Sequence, residues 1–179
     1  KKTIFDGVDL SGKDLSKSDF ESASFKNTNL NNADLSNTTF KDTDIDGSDM
    51  QNTNLNKSNF IQVDFTKIKN KSLAGADLSI ASLTHSNLSD VDLSGVTVSE
   101  TNFWKSDLSD VDFTVISNKL IFGSKFYESN LDNANFEGVD FAPKKITTNF
   151  FKNKASFVNL SNADLIVNLY GEYDTILII

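Results

Sequence analysis

The stretch ADLSNTTFKDTDIDGSDM, residues 33–50, decides the fold. It places Leu35, Phe40, Ile45 and Met50 five residues apart, each two residues after an Ala, Thr or Ser. Outward from this stretch the spacing runs without a miss. Phe5, Leu10, Leu15, Phe20, Phe25 and Leu30 precede it, and Leu55, Phe60 and Phe65 follow. In a chain that is 38% hydrophobic, thirteen consecutive hits arise by chance with odds of about 10⁻⁵. A second run holds a shifted phase through Leu73, Leu78, Leu83, Leu88, Leu93, Val98, Phe103, Leu108 and Phe113. A third covers Ile121, Phe126, Leu131, Phe136 and Phe141, and Leu160 and Leu165 read as a last fragment.

A period of five fits neither a helix nor a plain strand. It fits a chain that turns a corner every five residues. The large residue and the small one two before it point inward, and the other three point out. Four such units close a square coil of about 20 residues, and coils stack about 4.8 Å apart by backbone hydrogen bonds. The small inward residue is needed because little room is left beside a Leu or Phe in so narrow a core. Lys13, Lys71 and Lys119 are the exceptions at that position. The coil length predicts that Phe20, Phe40 and Phe60 stack on one side, and Leu10, Leu30 and Met50 on another.

The units NADLS (32–36) and GADLS (75–79) resemble the pentapeptide-repeat family, whose units read A-(D/N)-L-x-x. The resemblance covers residues 3–141 and returns at 158–165. It implies an all-β, right-handed quadrilateral β-helix, here of about seven coils, spanning residues 1–165. It also implies a binding rod: some members act on DNA gyrase by presenting a DNA-like negative surface, and dimerise through a C-terminal segment.

The repeat is broken in three places. Phe65 to Leu73 and Phe113 to Ile121 each span eight residues, in the matching sequences VDFTKIKNKSL and VDFTVISNKLI. Three-residue bulges at 66–72 and 114–120 are expected, with Ile68 and Ile116 tucked against the rod. Lys67, Lys69 and Lys71 make the first bulge a candidate partner-contacting loop. The segment 142–157 holds the only proline, Pro143, and is expected to leave the coil as a loop. The apolar segment 166–179 is expected to cap the last coil or to form a dimer interface.

Composition excludes several classes of function. The net charge is −8, with 17 Lys, no Arg and 25 acids, which argues against direct nucleic-acid binding. Cysteine is absent, so there are no disulfides or thiolate metal sites. No apolar run reaches membrane-spanning length and no signal peptide is expected. The fifteen Phe and single Pro argue against the disorder that so polar a composition would otherwise suggest. There is one His, His85, at an outward position, with no activated nucleophile around it. Neither a catalytic constellation nor a cofactor motif is present, and no cofactor or metal is expected.

The outward residues supply the candidates. Between Lys71 and Lys119 lie Asp77, Asp90, Asp92, Glu100, Asp107, Asp110 and Asp112, against Lys105 alone. The 20-residue coil sets Asp90 on Asp110 and Asp92 on Asp112, an unfavourable juxtaposition. Asp90, Asp92, Asp107, Asp110 and Asp112 are therefore a candidate acidic partner-binding patch. Solvated surface acids and a calcium site are the competing readings. Ile61, Trp104 and Tyr127 fall in one outward column and form a candidate aromatic stripe. The sequence thus points to a non-enzymatic, cytoplasmic protein-binding rod, with gyrase as the partner that the family resemblance implies. A targeting or scaffold module of a larger protein, such as a bacterial secreted effector, and a purely structural rod are the alternatives.

Overall fold

The computed structural model describes residues 3–141, 153, 158–161 and 163. The loop expected at 142–157, apart from Asn153, and the cap or dimer segment at 166–179 lie outside the described residues.

Most large inward residues donate their N–H to the carbonyl of the residue before their counterpart one coil on. Leu30 donates to Asp49 at 2.8 Å, and Phe20 to Thr39 at 2.8 Å. The residue before it donates back to the preceding coil, as Asn29 does to Val8 at 3.1 Å. The result is a set of single-residue parallel bridges offset by 20 positions, such as Asp9 with Asn29 and Asp14 with Asp34. No strand longer than one bridge forms among the described residues, because the corners interrupt every side. The only regular elements there are four 3-10 turns, Phe65–Lys67, Lys69–Lys71, Phe113–Val115 and Ser117–Lys119.

The bridging residues define four sides. Side I runs Ile4, Ser24, Asp44, Asp64, Asn87, Asp107 and Asn130. Side II runs Asp9, Asn29, Asp49, Ser72, Asp92, Asp112 and Asn135. Side III runs Asp14, Asp34, Asn54, Asp77, Thr97, Leu120 and Asp140. Side IV runs Asp19, Thr39, Asn59, Ser82, Asn102 and Lys125. Sides II and IV lie opposite each other.

Three local preferences make the corners. An Asp or Asn before the large residue accepts from the N–H two residues on, as Asp34 does from Ser36 at 2.9 Å and Asp77 from Ser79 at 2.9 Å. This is the turn chemistry these residues favour. The second corner residue takes a left-handed conformation, with φ of 54° at Asn27, 60° at Asn32 and 57° at Asn37, which Asn and Gly tolerate best. Small inward hydroxyls then satisfy corner carbonyls: Thr28 Oγ1 donates to Phe5 O at 2.8 Å, and Ser129 Oγ to Phe103 O at 2.6 Å. That leaves few buried polar groups unpaired.

The core is one continuous column. Phe40 stacks on Phe60 at 4.7 Å and 11°, and Phe113 on Phe136 at 4.4 Å and 8°. Both slips are absorbed by paired 3-10 turns. Ile68 and Ile116 sit between the two turns of each pair, and each is 4% exposed. Asn70 and Asn118 take φ of 56° and 54° inside the second turns. Past each bulge the ladder resumes at an offset of 23, as in Asn54 with Asp77 and Asp107 with Asn130.

Candidate functional site

Residues 3–141 carry 22 acids against 11 Lys, so the rod is more acidic than the chain as a whole. The acids are not confined to the middle coils: Asp42, Asp44, Asp46 and Asp49 crowd a lower coil. What distinguishes the middle is a notch. It lies beside the second bulge, where no bridge pairs Asp92 with Asp112, just as none pairs Asp44 with Asp64 beside the first. A shallow depression of about 220 Å³ opens there, lined by Asp90, Asp92, Asp110, Asp112, Leu93 and Val115. The stacking of Asp90 on Asp110 is seen directly, since Asp90 N donates to Ser109 O at 3.0 Å.

Each of these carboxylates has a hydrogen-bonding partner outside the stacked pairs. Lys71 Nζ lies 3.1 Å from Asp90. Asn133 Nδ2 donates to Asp110 at 2.9 Å, and Asn130 Nδ2 to Asp107 at 3.0 Å. Asp112 accepts from Thr114 N at 2.9 Å, capping the 3-10 turn. Asp92 accepts from Ser94 N and Oγ and from Ser72 Oγ. Partial burial pushes Asp92 up, but these three bonds outweigh it and hold the carboxyl below its usual range. The middle coils therefore do not forgo relief from repulsion. Amide and hydroxyl donors supply it, as Asn54 Nδ2 does for Asp34 at 3.0 Å in the lower coils.

The lysine loop is mostly committed within the rod. Lys69 bonds Asp49 at 2.7 Å and Lys71 bonds Asp90. Lys67 is exposed, with no side-chain partner. The bulge thus ties the coils on either side of it together more than it presents a basic patch.

The aromatic column has the expected register. Lys41, Ile61, Thr84, Trp104 and Tyr127 follow one another up the corner between sides IV and I, through bonds such as His85 N to Trp104 O at 2.9 Å. Trp104 and Tyr127 are neighbours, with ring centroids 6.3 Å apart. Ile61 is half-buried and separated from Trp104 by the Thr84 rung, so the stripe is not continuous. Sequence reasoning missed two neighbours of Trp104 on this surface, and a third, apolar residue beyond it. His85 is exposed, but its ring lies 5.6 Å from that of Trp104, and Lys105 Nζ sits 5.1 Å over the indole. Ile80, 47% exposed at the opposite corner of side IV, takes φ of 62°. It is the only apolar side chain in the left-handed region among the described residues. A β-branched residue there is strained. Ile80→Asn is expected to stabilise the rod by about 1 kcal/mol in a thermal melt. An unchanged or lower melting temperature would show that Ile80 packs well enough to offset its backbone.

Among the described residues no group of three or more His, Asp or Glu side chains is arranged to hold a metal ion, so the notch has no converging cation cage. No helix there is long and apolar enough to cross a membrane.

Two family models match: a pentapeptide repeat region over residues 13–72, and eight copies of the pentapeptide repeat over residues 76–114. The chain is a pentapeptide-repeat protein. No curated protein matches it. Solved structures of pentapeptide-repeat proteins do. HetL, involved in heterocyst differentiation regulation in the cyanobacterium Nostoc sp. strain PCC 7120, is 17% identical. That match covers 92% of this chain and 85% of HetL, with a TM-score of 0.40. QnrB1, a plasmid-mediated fluoroquinolone resistance protein, is 16% identical over 92% of this chain and 84% of its own, with a TM-score of 0.44. A pentapeptide-repeat protein of the Arabidopsis thaliana thylakoid lumen is 20% identical over 89% of this chain and 69% of its own, with a TM-score of 0.21. Likenesses this distant assign no partner to the pentapeptide-repeat rod described here.

Proposed function

We propose that this pentapeptide-repeat protein is a non-enzymatic, cytoplasmic binding rod, a right-handed quadrilateral β-helix of about seven coils. Its acidic side II occupies a basic groove of DNA gyrase or a related topoisomerase in place of duplex DNA. The observation that carries this reading is the notch lined by Asp90, Asp92, Asp110 and Asp112, where Asp90 stacks on Asp110. Over the two coils of the notch, two carboxylates per coil about 4.8 Å apart give roughly one charge per 2.4 Å. Duplex DNA carries about one per 1.7 Å of axis. The densities are close enough for a groove shaped to steer phosphates to steer this side as well.

The test is a gyrase supercoiling assay with the intact chain. Inhibition is expected at protein concentrations up to about 10 µM, with the D90K/D110K variant at least about tenfold weaker. The reversal breaks only the exposed Lys71–Asp90 pair and the exposed hydrogen bond from Asn133 to Asp110, so folding should survive it. No inhibition by the wild-type chain at that concentration would remove gyrase as the partner. Equal inhibition by the variant would remove side II as the contact.

A further inference from the structure

Side IV differs in kind from the other three sides. Among the described residues, the charged members of columns I, II and III are all acids. Column IV carries Asp19 at its lower end, Lys125 at its upper end, and Thr39, Asn59, Ser82 and Asn102 between. Two of the five exposed large hydrophobic residues among the described residues, Ile80 and Trp104, flank this column from its two corners. Ile80 keeps an exposed apolar side chain at a backbone conformation that Asn would adopt with less strain. Trp104 is held in place by His85, Lys105 and Tyr127.

The geometry points to a second copy of this chain as the occupant of side IV, packed face to face and antiparallel. Place a two-fold axis across the rod, midway between the Asn59 and Ser82 rungs. Asp19 then faces Lys125 of the second copy, Thr39 faces Asn102, and Asn59 faces Ser82. In the flanking corner columns, Lys41 comes over Trp104, Asp42 meets Lys105, and Ile61 meets Thr84. At the other corner Lys57 meets Ile80. Among the described residues Lys125 has no side-chain partner, and Asp19 only accepts from Glu21 N. No like charges oppose each other in this register. A parallel pairing, with the axis along the rod, would set Asp19 on Asp19 and Lys125 on Lys125, which is unfavourable. On side II the antiparallel operation would bring acids together. The contact is isologous, as closed dimers require, and leaves both acidic notches facing outward.

Area sets its strength. Six rungs about 4.8 Å apart and five residues of about 3.3 Å give a face of roughly 29 by 16 Å, or about 900 Å² counted over both copies. Contacts of that size are weak and transient, and a Kd on the order of 100 µM is expected.

Sedimentation equilibrium of the intact chain at low salt, from about 5 µM to about 1 mM, tests this. A reversible monomer–dimer equilibrium is expected. Asp19→Lys and Lys125→Asp should each raise Kd about tenfold, since every reversal creates two repulsive contacts in a symmetric dimer. The combined D19K/K125D variant should restore the wild-type Kd, because only an antiparallel pairing re-forms both contacts. Trp104→Ala and Ile80→Asn should weaken association while the circular dichroism spectrum stays unchanged. A monomer across the whole range would overturn the proposal. So would a dimer whose Kd ignores these variants, including one formed through another surface, or a double swap that fails to restore association.

Discussion

Replacing Phe113 by alanine is expected to cost about 3–5 kcal/mol of unfolding free energy. Phe113 is fully buried and stacks on Phe136 at 4.4 Å, with Phe126 at 5.9 Å and Phe103 at 6.4 Å in edge-on contact. In a globular core, neighbours from several directions can lean into a vacated space. Here the wall is a backbone ladder at fixed spacing, and the inward neighbours belong to rungs held by that ladder, so collapse into the cavity is limited. The loss is a large part of the 5–15 kcal/mol that typically stabilises a domain. It should lower the urea midpoint and blur the transition, because stacked repeats share their stability mainly with nearest neighbours. Phe5→Ala provides the contrast. Phe5 lies in the first coil and is only half-buried, so its cost should be less than half as great. Equal costs at the two positions would contradict a core whose stability depends on neighbours above and below.

The period of five made the interior legible. Once Leu35, Phe40, Ile45 and Met50 are read as inward, the Phe stacks, the 20-residue offset and the burial of Ile68 and Ile116 all follow from chain geometry. The vertical pairing of Asp90 with Asp110 was legible for the same reason. The outer surface was less so, because it depends on where long side chains reach. Lys71 could have extended into solvent, yet it meets Asp90 one coil on, and Lys69 meets Asp49. Such reach is set by rotamers that no spacing rule fixes. The notch was also hidden, since no spacing rule shows that a depression opens between the Asp90–Asp92 and Asp110–Asp112 rungs beside the second bulge. Ile80 escaped notice because its corner position is neither inward nor bridging. Its left-handed backbone, not its place in the repeat, makes it conspicuous.

Deleting Ile68, Lys69 and Asn70 together, with Lys71→Ser, should leave a folded rod, whereas deleting Asn70 alone should not. The triple deletion brings Phe65 and Leu73 to the five-residue spacing of every ordinary corner. The serine supplies the small hydroxyl that the repeat uses at the inward position before the large residue. The cost is the burial of Ile68, about 2–3 kcal/mol, and the loss of the Lys69 cation from the buried Asp49 carboxylate, about a further 1–3 kcal/mol; the exposed Lys71–Asp90 pair adds little. Past the deletion every residue keeps its side of the coil, and the ladder continues at an offset of 20. Deleting Asn70 alone leaves a spacing of seven. It also removes the residue whose φ of 56° turns the second 3-10 turn back toward the wall. To restore the inward column, the chain must strain that turn or slip by a residue, and a slip would carry Asp and Ser side chains inward along the coils that follow. Burying even two such unpaired groups costs several kcal/mol, enough to unfold a marginally stable rod. Urea titrations followed by circular dichroism would separate the cases. A single-residue deletion as stable as the triple would show that the corner tolerates any length, and that the matching sequences of the two bulges are not what keeps the coils in register.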